Sequence, residues 1–428
     1  MLSRLGLAAT AGALMNAAPV PAAEAPKEQT SRASSPLNVE DFGAVGDGVR
    51  DNTDAFNAAL KAASAKSGNL VVLVPRGKYL IKGHLDIPAN VALEGVFSSA
   101  PSARNKDEGS ILLAVAGAGD ASGNPFITLH TSSTLRGVTV LYPDQQMKNP
   151  PVPYPWTIRG QGDNISLVNV LLVNPYQAVD FGTFAAGRHF INGLYGQPLY
   201  RGLFIDQCYD VGRIQNVHFW SFWGGWEGEL YSFMRSEAVA FILGRTDWEF
   251  MSNCFCIGYH IGYHFIANKS GPGNCLLTES GSDIGPTAVR VEAGQAHAGH
   301  SFVNCQFMAG VEIAKTNTGP VKFTACGFWG IPTTDNHAVI EGSGHTTFDG
   351  CHFIGWGQKD RKAPAIHVRS GGLTVTACDF MDVDKAQVTL EPQVEAALIY
   401  GNRFRGKGLI ADHTNGRAQI GMNAVSAK

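Results

Sequence analysis

Between positions 70 and 95 the chain alternates apolar and polar residues. Tyr79, Ile81, Leu85, Ile87, Val91 and Leu93 keep a two-residue period in short runs, with Pro75 and Gly77 marking a turn before them, and this period predicts strands. Upstream the period changes. Ala55, Phe56, Ala59 and Leu60 fall on one face of a helix that Asp51 or Thr53 can cap, and Gly43, Gly46 and Gly48 form a tight turn carrying Asp47. A strand, an amphipathic helix and further strands read as the entry cap of a long β structure.

Beyond position 130 a repeat emerges, in which a small residue or Asn precedes an apolar one: Gly137, Asn169, Asn192, Asn216, Asn253, Asn304, Ala325, Gly350, Ala377 and Gly401. Successive gaps are 32, 23, 24, 37, 51, 21, 25, 27 and 24 residues, the spacing of stacked units in a solenoid. Because strand side chains alternate, the first and third positions after each anchor face inward and the second faces out. The inward slots then hold a column of Cys (Cys254, Cys305, Cys326, Cys351, Cys378) beside a largely aromatic column (Tyr195, Phe219, Phe307, Phe328, Phe353, Phe380, Phe404), while His218, Gln306, His352, Asp379 and Arg403 point outward.

The string Asp41-Phe-Gly-Ala-Val-Gly-Asp-Gly48, with Asp51, Thr53 and Ala55 at fixed offsets and then Pro75-x-Gly-x-Tyr79, resembles the N-terminal cap of the pectate-lyase-like superfamily. The resemblance implies an all-β, single-stranded right-handed parallel β-helix with an N-terminal capping helix, the cap covering residues 38–95 and the rungs about 96–415. It also implies an enzyme acting on polysaccharides, but a fold does not choose the reaction. Polygalacturonases of this superfamily carry a Gly-His-Gly signature, which Gly344-His345-Thr346 departs from. Fructotransferase relatives are trimeric, so a homotrimer is compatible with the resemblance.

Residues 1–25 carry Arg4, an apolar small-residue stretch and Ala22-Ala23, the pattern of a secretory signal, followed by a linker over 26–37. A secreted or periplasmic enzyme is expected, and no later stretch is long and apolar enough for a membrane span. A net charge of −3 offers no basic field for nucleic acid. Of the eight cysteines, the five in the inward column are expected as free buried thiols, since in-register neighbours point the same way and cannot bridge well, while Cys208 and Cys275 are left open.

Two gaps exceed one rung and predict excursions from the coil, where function concentrates. The first, after Asn216, interleaves Trp220, Trp223, Trp226 and Trp248 with Glu227, Glu229, Asp247 and Glu249. Rings stack on sugar faces and carboxylates move protons. Asp247 and Glu249, two apart in a strand, would share a face, and Asp206 and Asp210 would approach the same cleft under His218. The second excursion, after Asn253, holds Tyr263, His264, Glu279, Asp283, His297 and His300; Tyr263 or His264 would serve as base or substrate contact. Metal-ligand spacing is absent, so no cofactor is expected, with Ca²⁺ the one cation an acidic block would suit.

Residues 201–300 hold six Lys or Arg against ten Asp or Glu. A lyase must neutralise a uronate carboxylate, so this acidic block favours a neutral glycan and a glycoside hydrolase. The catalytic pair is expected among Asp206, Glu227, Glu229, Asp247 and Glu249, with Trp220, Trp223, Trp226, Trp248, His218, Tyr263 and His264 contacting the glycan. A polysaccharide lyase is the runner-up, and a fructotransferase-like or non-catalytic glycan-binding β-helix the third reading.

Overall fold

The computed structural model describes residues 35–65, 70–97 and 108–426; the expected signal segment and most of the linker lie outside them. From Pro36 onward the chain is one compact unit. Its strands form a continuous ladder in which each named strand pairs in parallel with its counterpart one coil later. Two helices interrupt the described strands, α1 (Thr53–Ala65) and α2 (Gly228–Glu237).

At the N-terminal end Asp51 accepts hydrogen bonds from the Thr53 amide and hydroxyl, and α1 buries Phe56, Ala59, Leu60 and Ala63. Phe56 meets Tyr79 edge-on at 5.4 Å between centroids. The helix thereby covers the open end of the coil, whose unpaired strand groups would otherwise template further pairing.

Each rung bends at a residue in the left-handed region: Gly137, Asn169, Gly193, Asn216, Asn253, Glu279, Asn304, Ala325, Gly350, Ala377, Gly401 and Met422. Asn and Gly adopt that conformation at the lowest cost, which is why they dominate the repeat. Two expectations change here. The rung assigned to Asn192 bends at Gly193, so Tyr195 takes an outward slot instead of an inward one; a one-residue slip exchanges the faces of a strand. The gap after Asn253 is no excursion, because Glu279 bends an ordinary rung and divides it; Tyr263, Asp283 and His300 all sit in or beside coil strands. The bend at Met422 likewise carries paired strands to Ser426, past position 415.

The inward columns follow the expected register elsewhere. All eight cysteines are free and buried, Cys208 and Cys275 included. Phe328 stacks on Phe353 and Phe353 on Phe380, each at 4.8 Å, and a second column runs through Phe302, Phe323 and Phe348 at 4.8 and 5.1 Å. Ring burial of this kind contributes about 1.5–3 kcal/mol per side chain.

Candidate functional site

The outward slots of five successive rungs align as Tyr195, His218, Phe255, Gly281 and Gln306. Four of these project side chains, whereas Gly281 leaves the floor open; a Cβ built there would lie 2.8 Å from the Gln306 carbonyl oxygen and 3.3 Å from the Phe255 ring. The result is a groove of about 620 Å³ whose rim carries Asn216, Asn253, Glu279 and Asn304. Asn216 and Asn253 continue an amide ladder, Asn253 Nδ2 donating to Asn216 Oδ1 at 2.7 Å and Asn216 Nδ2 to Asn192 Oδ1 at 2.8 Å.

Aromatic rings close on the groove from both directions. His218 lies 5.2 Å from Trp220 and 5.2 Å from Phe255, and Phe97 stacks on Tyr195 at 6.1 Å. Burial holds the His218 imidazole below its ordinary range, so it is neutral at pH 7 and free to accept a proton. Asp283, two residues beyond Gly281 and therefore on the same outward face, has its carboxyl raised by burial. Its Oδ1 is buried without a hydrogen-bond partner. Glu279, at the bend, is exposed.

The five carboxylates expected to supply the catalytic pair do not assemble. Asp206 is buried and accepts hydrogen bonds from the Gln207 and Arg245 amides at 2.9 and 2.7 Å and from Asn268 Nδ2 at 2.8 Å, which ties it to its turn. Asp247 and Glu249 do not share a face, because Trp248 between them is left-handed at φ 61° and the strand starts only at Glu249. Glu249 is consequently fully buried, 2.9 Å from His189 Nε2. Asp247 stays at the surface, held by Arg245 and Gln295 at 2.9 Å each. It lines a separate cleft of about 300 Å³ with Tyr209, Asp210, exposed Trp248 and His297. Asp210 is therefore parted from Asp206. Glu227 and Glu229 are exposed at the N-terminus of α2, where Glu229 accepts from the Asn149 amide at 3.3 Å.

Of the expected glycan contacts, His218 lines the groove and Trp220 lies against it. Trp226 is exposed beside α2, edge-on to Tyr231 at 5.9 Å. Trp223 packs against the core, its amide bonded to Gln197 Oε1 at 2.8 Å. Tyr263 is a core residue, not a surface contact: its hydroxyl donates to backbone carbonyls of Cys254 and Gly281, and burial pushes its pKa well up. His264 lies 3.1 Å from Glu292 in a third hollow with Arg201 and His260. Tyr195 reaches the groove through the register slip at Gly193, and Glu279 and Asp283 belong to the coil, not to an excursion. The signals were the Asn-Gly pair at 192–193 and the intact alternation through 281–283.

Residues 37–153 match the family described as rhamnogalacturonase A/epimerase, pectate lyase-like, in agreement with the resemblance carried by the cap. A 65-residue stretch is 46% identical to mannuronan C5-epimerase AlgE1 of Azotobacter vinelandii, covering 14% of this chain and 5% of that protein's length. The fold is shared with the N-terminal fragment of bacteriophage Phi29 gene product 12, at a TM-score of 0.60 and 13% identity over 87% of this chain and 67% of the other. It is shared also with DFA-IIIase of Arthrobacter chlorophenolicus A6, at a TM-score of 0.54 and 11% identity over 91% of this chain and 98% of the other.

Proposed function

We propose that this pectate-lyase-like β-helix is a carbohydrate-active enzyme that cleaves a neutral poly- or oligosaccharide laid along the groove from Tyr195 to Gln306. One observation carries the reading: the groove is lined by rings, amides and a single carboxylate, Glu279, with no Lys or Arg among the described lining residues. Rings and amides suit the apolar faces and hydroxyls of sugars, and without a cation nothing there offsets a uronate charge.

Hydrolysis needs one carboxyl kept protonated and one ionised. Asp283, raised by burial, takes the acid role, and exposed Glu279 the base. At full extension their Cα atoms would be roughly 13 Å apart, and an inverting pair needs its carboxyl groups about 6.5–9.5 Å apart, so the proposal requires the two side chains to turn toward each other over the groove. Export through residues 1–25 belongs to the same proposal, since a polymeric substrate is met outside the cell.

A second reading is supported by His218, whose neutral imidazole beside Tyr195 would serve a lyase or epimerase as base and acid. Incubation of the purified protein with a glycan panel separates them. Reducing ends from a neutral glycan, lost in both Glu279→Gln and Asp283→Asn, support hydrolysis. An unsaturated or epimerised uronate product that survives those changes and is lost in His218→Ala overturns it.

A further inference from the structure

We propose that His189, Cys208 and Glu249 form an internal binding site for one divalent cation of the zinc class, separate from the groove. His189, Gly212 and Glu249 occupy one inward column on three successive rungs, as the adjoining pairs Phe190 with Arg213 and Arg213 with Phe250 fix. Ordinarily side chains two rungs apart are kept from meeting by the residue between them. Here that residue is glycine: a Cβ on Gly212 would fall 2.3 and 2.5 Å from the Glu249 carboxylate oxygens and 2.5 Å from His189 Cε1. The cradle exists because position 212 has no side chain.

Cys208 enters from the turn before Gly212, and its Sγ, a nitrogen of His189 and a carboxylate oxygen of Glu249 all lie within 4.8 Å of one another, every residue buried. An ion bound at about 2.0–2.3 Å draws its donors to within about twice that length of each other, and thiolate, imidazole and carboxylate are the ligand set that zinc takes. Nδ1 of His189 donates to the Ala186 carbonyl at 2.8 Å, which leaves Nε2 as the ring atom aimed into the cluster. That is the outer contact by which metal-binding histidines are oriented. Nε2 faces Glu249 Oε1 at 2.9 Å, while Glu249 Oε2 is buried without any hydrogen-bond partner.

An unpartnered carboxylate oxygen in a dry interior is costly, and a cation in the cradle removes the deficit. On binding, the Cys208 thiol, which now donates to the Asp210 carbonyl at 2.9 Å, and the His189–Glu249 pair release their protons. A 2+ ion with one thiolate, one carboxylate and a neutral imidazole carries no net charge, as a buried site requires. Since Tyr209, Asp210 and Val211 wall the second cleft, the ion would fasten that wall to the coil.

The test uses the full chain, stripped with a chelator and then titrated with Zn²⁺ alone or Co²⁺ alone. The expected result is about one ion per chain by elemental analysis, together with a near-ultraviolet thiolate-to-cobalt charge-transfer band and a higher melting temperature. Cys208→Ser should abolish the band, whereas Cys305→Ser, a buried thiol of the separate Cys column, should keep it. If folded wild-type protein retains no ion above background, or the band survives Cys208→Ser, the cluster is a buried ion pair beside a thiol and the proposal fails. The wild-type titration decides even if the variants do not fold.

Discussion

His218 and Trp220 leave the same coil turn toward the same outer face, with their ring centroids 5.2 Å apart. Both are half-buried, and His218 lines the groove that Trp220 adjoins. Trp220 also has its indole N–H buried without a partner. A sugar ring stacked here would gain contact area at little ordering cost, since the rings are already fixed by one another.

Replacing Trp220 by Ala should therefore weaken glycan binding by about 1 kcal/mol, roughly five- to tenfold in affinity, with little change in catalytic rate once the substrate is bound. Calorimetric titration against an active glycan, paired with kcat and KM, checks this. A loss confined to kcat would remove Trp220 from the binding surface. Trp248, in the separate cleft, should give no effect on the same substrate.

Asp283 offers a stability test with an unusual sign. Its carboxyl is raised by burial, so the folded protein holds the proton more tightly than the unfolded chain does. The stabilisation present at low pH is lost as pH rises through the folded value. At pH 7 Asp283→Asn should thus melt no lower than wild type, and higher if burial is the dominant cause, while losing turnover. A lower melting temperature at pH 7 would mean that the ionised group makes contacts that outweigh its burial.

Much of this architecture was legible because one short motif recurs with little variation. Where a rung reads Asn or Ala, then Cys, a polar residue and Phe, as at 304–307 and 377–380, the bend residue, the buried thiol, the outward position and the ring all follow from strand alternation. The site was less legible because it is built where the motif fails. At 279–283 Glu replaces Asn at the bend, Ser the thiol, and Gly the outward residue, so the rung that opens the groove is the one a pattern search passes over. Trp248 breaks the pattern in another way: alternation places Asp247 and Glu249 together only if the residue between them is extended, and a left-handed Trp is not an expectation any propensity supplies. The meeting of His189 with Glu249 depends on what Gly212 lacks, which a list of candidate side chains does not register.

The left-handed bends make a separate prediction about stability. Ala325 and Ala377 both stand at φ 53° on exposed backbone, where an L side chain costs roughly 1–2 kcal/mol and its loss removes no packing. Ala325→Gly and Ala377→Gly should each stabilise by about 1 kcal/mol after the entropy of glycine in the unfolded chain is set against the relieved strain. Two rungs separate the sites, so the effects should add. Chemical denaturation of the single and double variants measures it, and a destabilised double variant would show that these bends are not strained.

Acid should unfold this protein earlier than its carboxylates alone dictate, because of two histidines in the coil interior. Burial lowers both His300 and His337 to about 4. In each, Nε2 donates to a backbone carbonyl, of Ala293 and Ile354 respectively, at 3.0 Å, and Nδ1 is buried with no partner. A proton on Nδ1 would thus add a charge with no acceptor. With the folded value below the ordinary 6.5, the unfolded chain binds more protons across the window between them, so stability is complete above pH 6.5 and falls as pH drops toward about 4. Each site contributes on the order of 3 kcal/mol over that window. Unfolding free energy measured from pH 7 to pH 4 should decline, and His300→Gln, which can retain the donor toward Ala293, should reduce the slope. Carboxylates held by hydrogen bonds, such as Asp47 and Asp51, have lowered values and lose their contribution only further into acid. Because Asp283 works in the opposite direction, the decisive comparison is between variants: a slope unchanged by His300→Gln would rule out that buried neutral imidazole as its source.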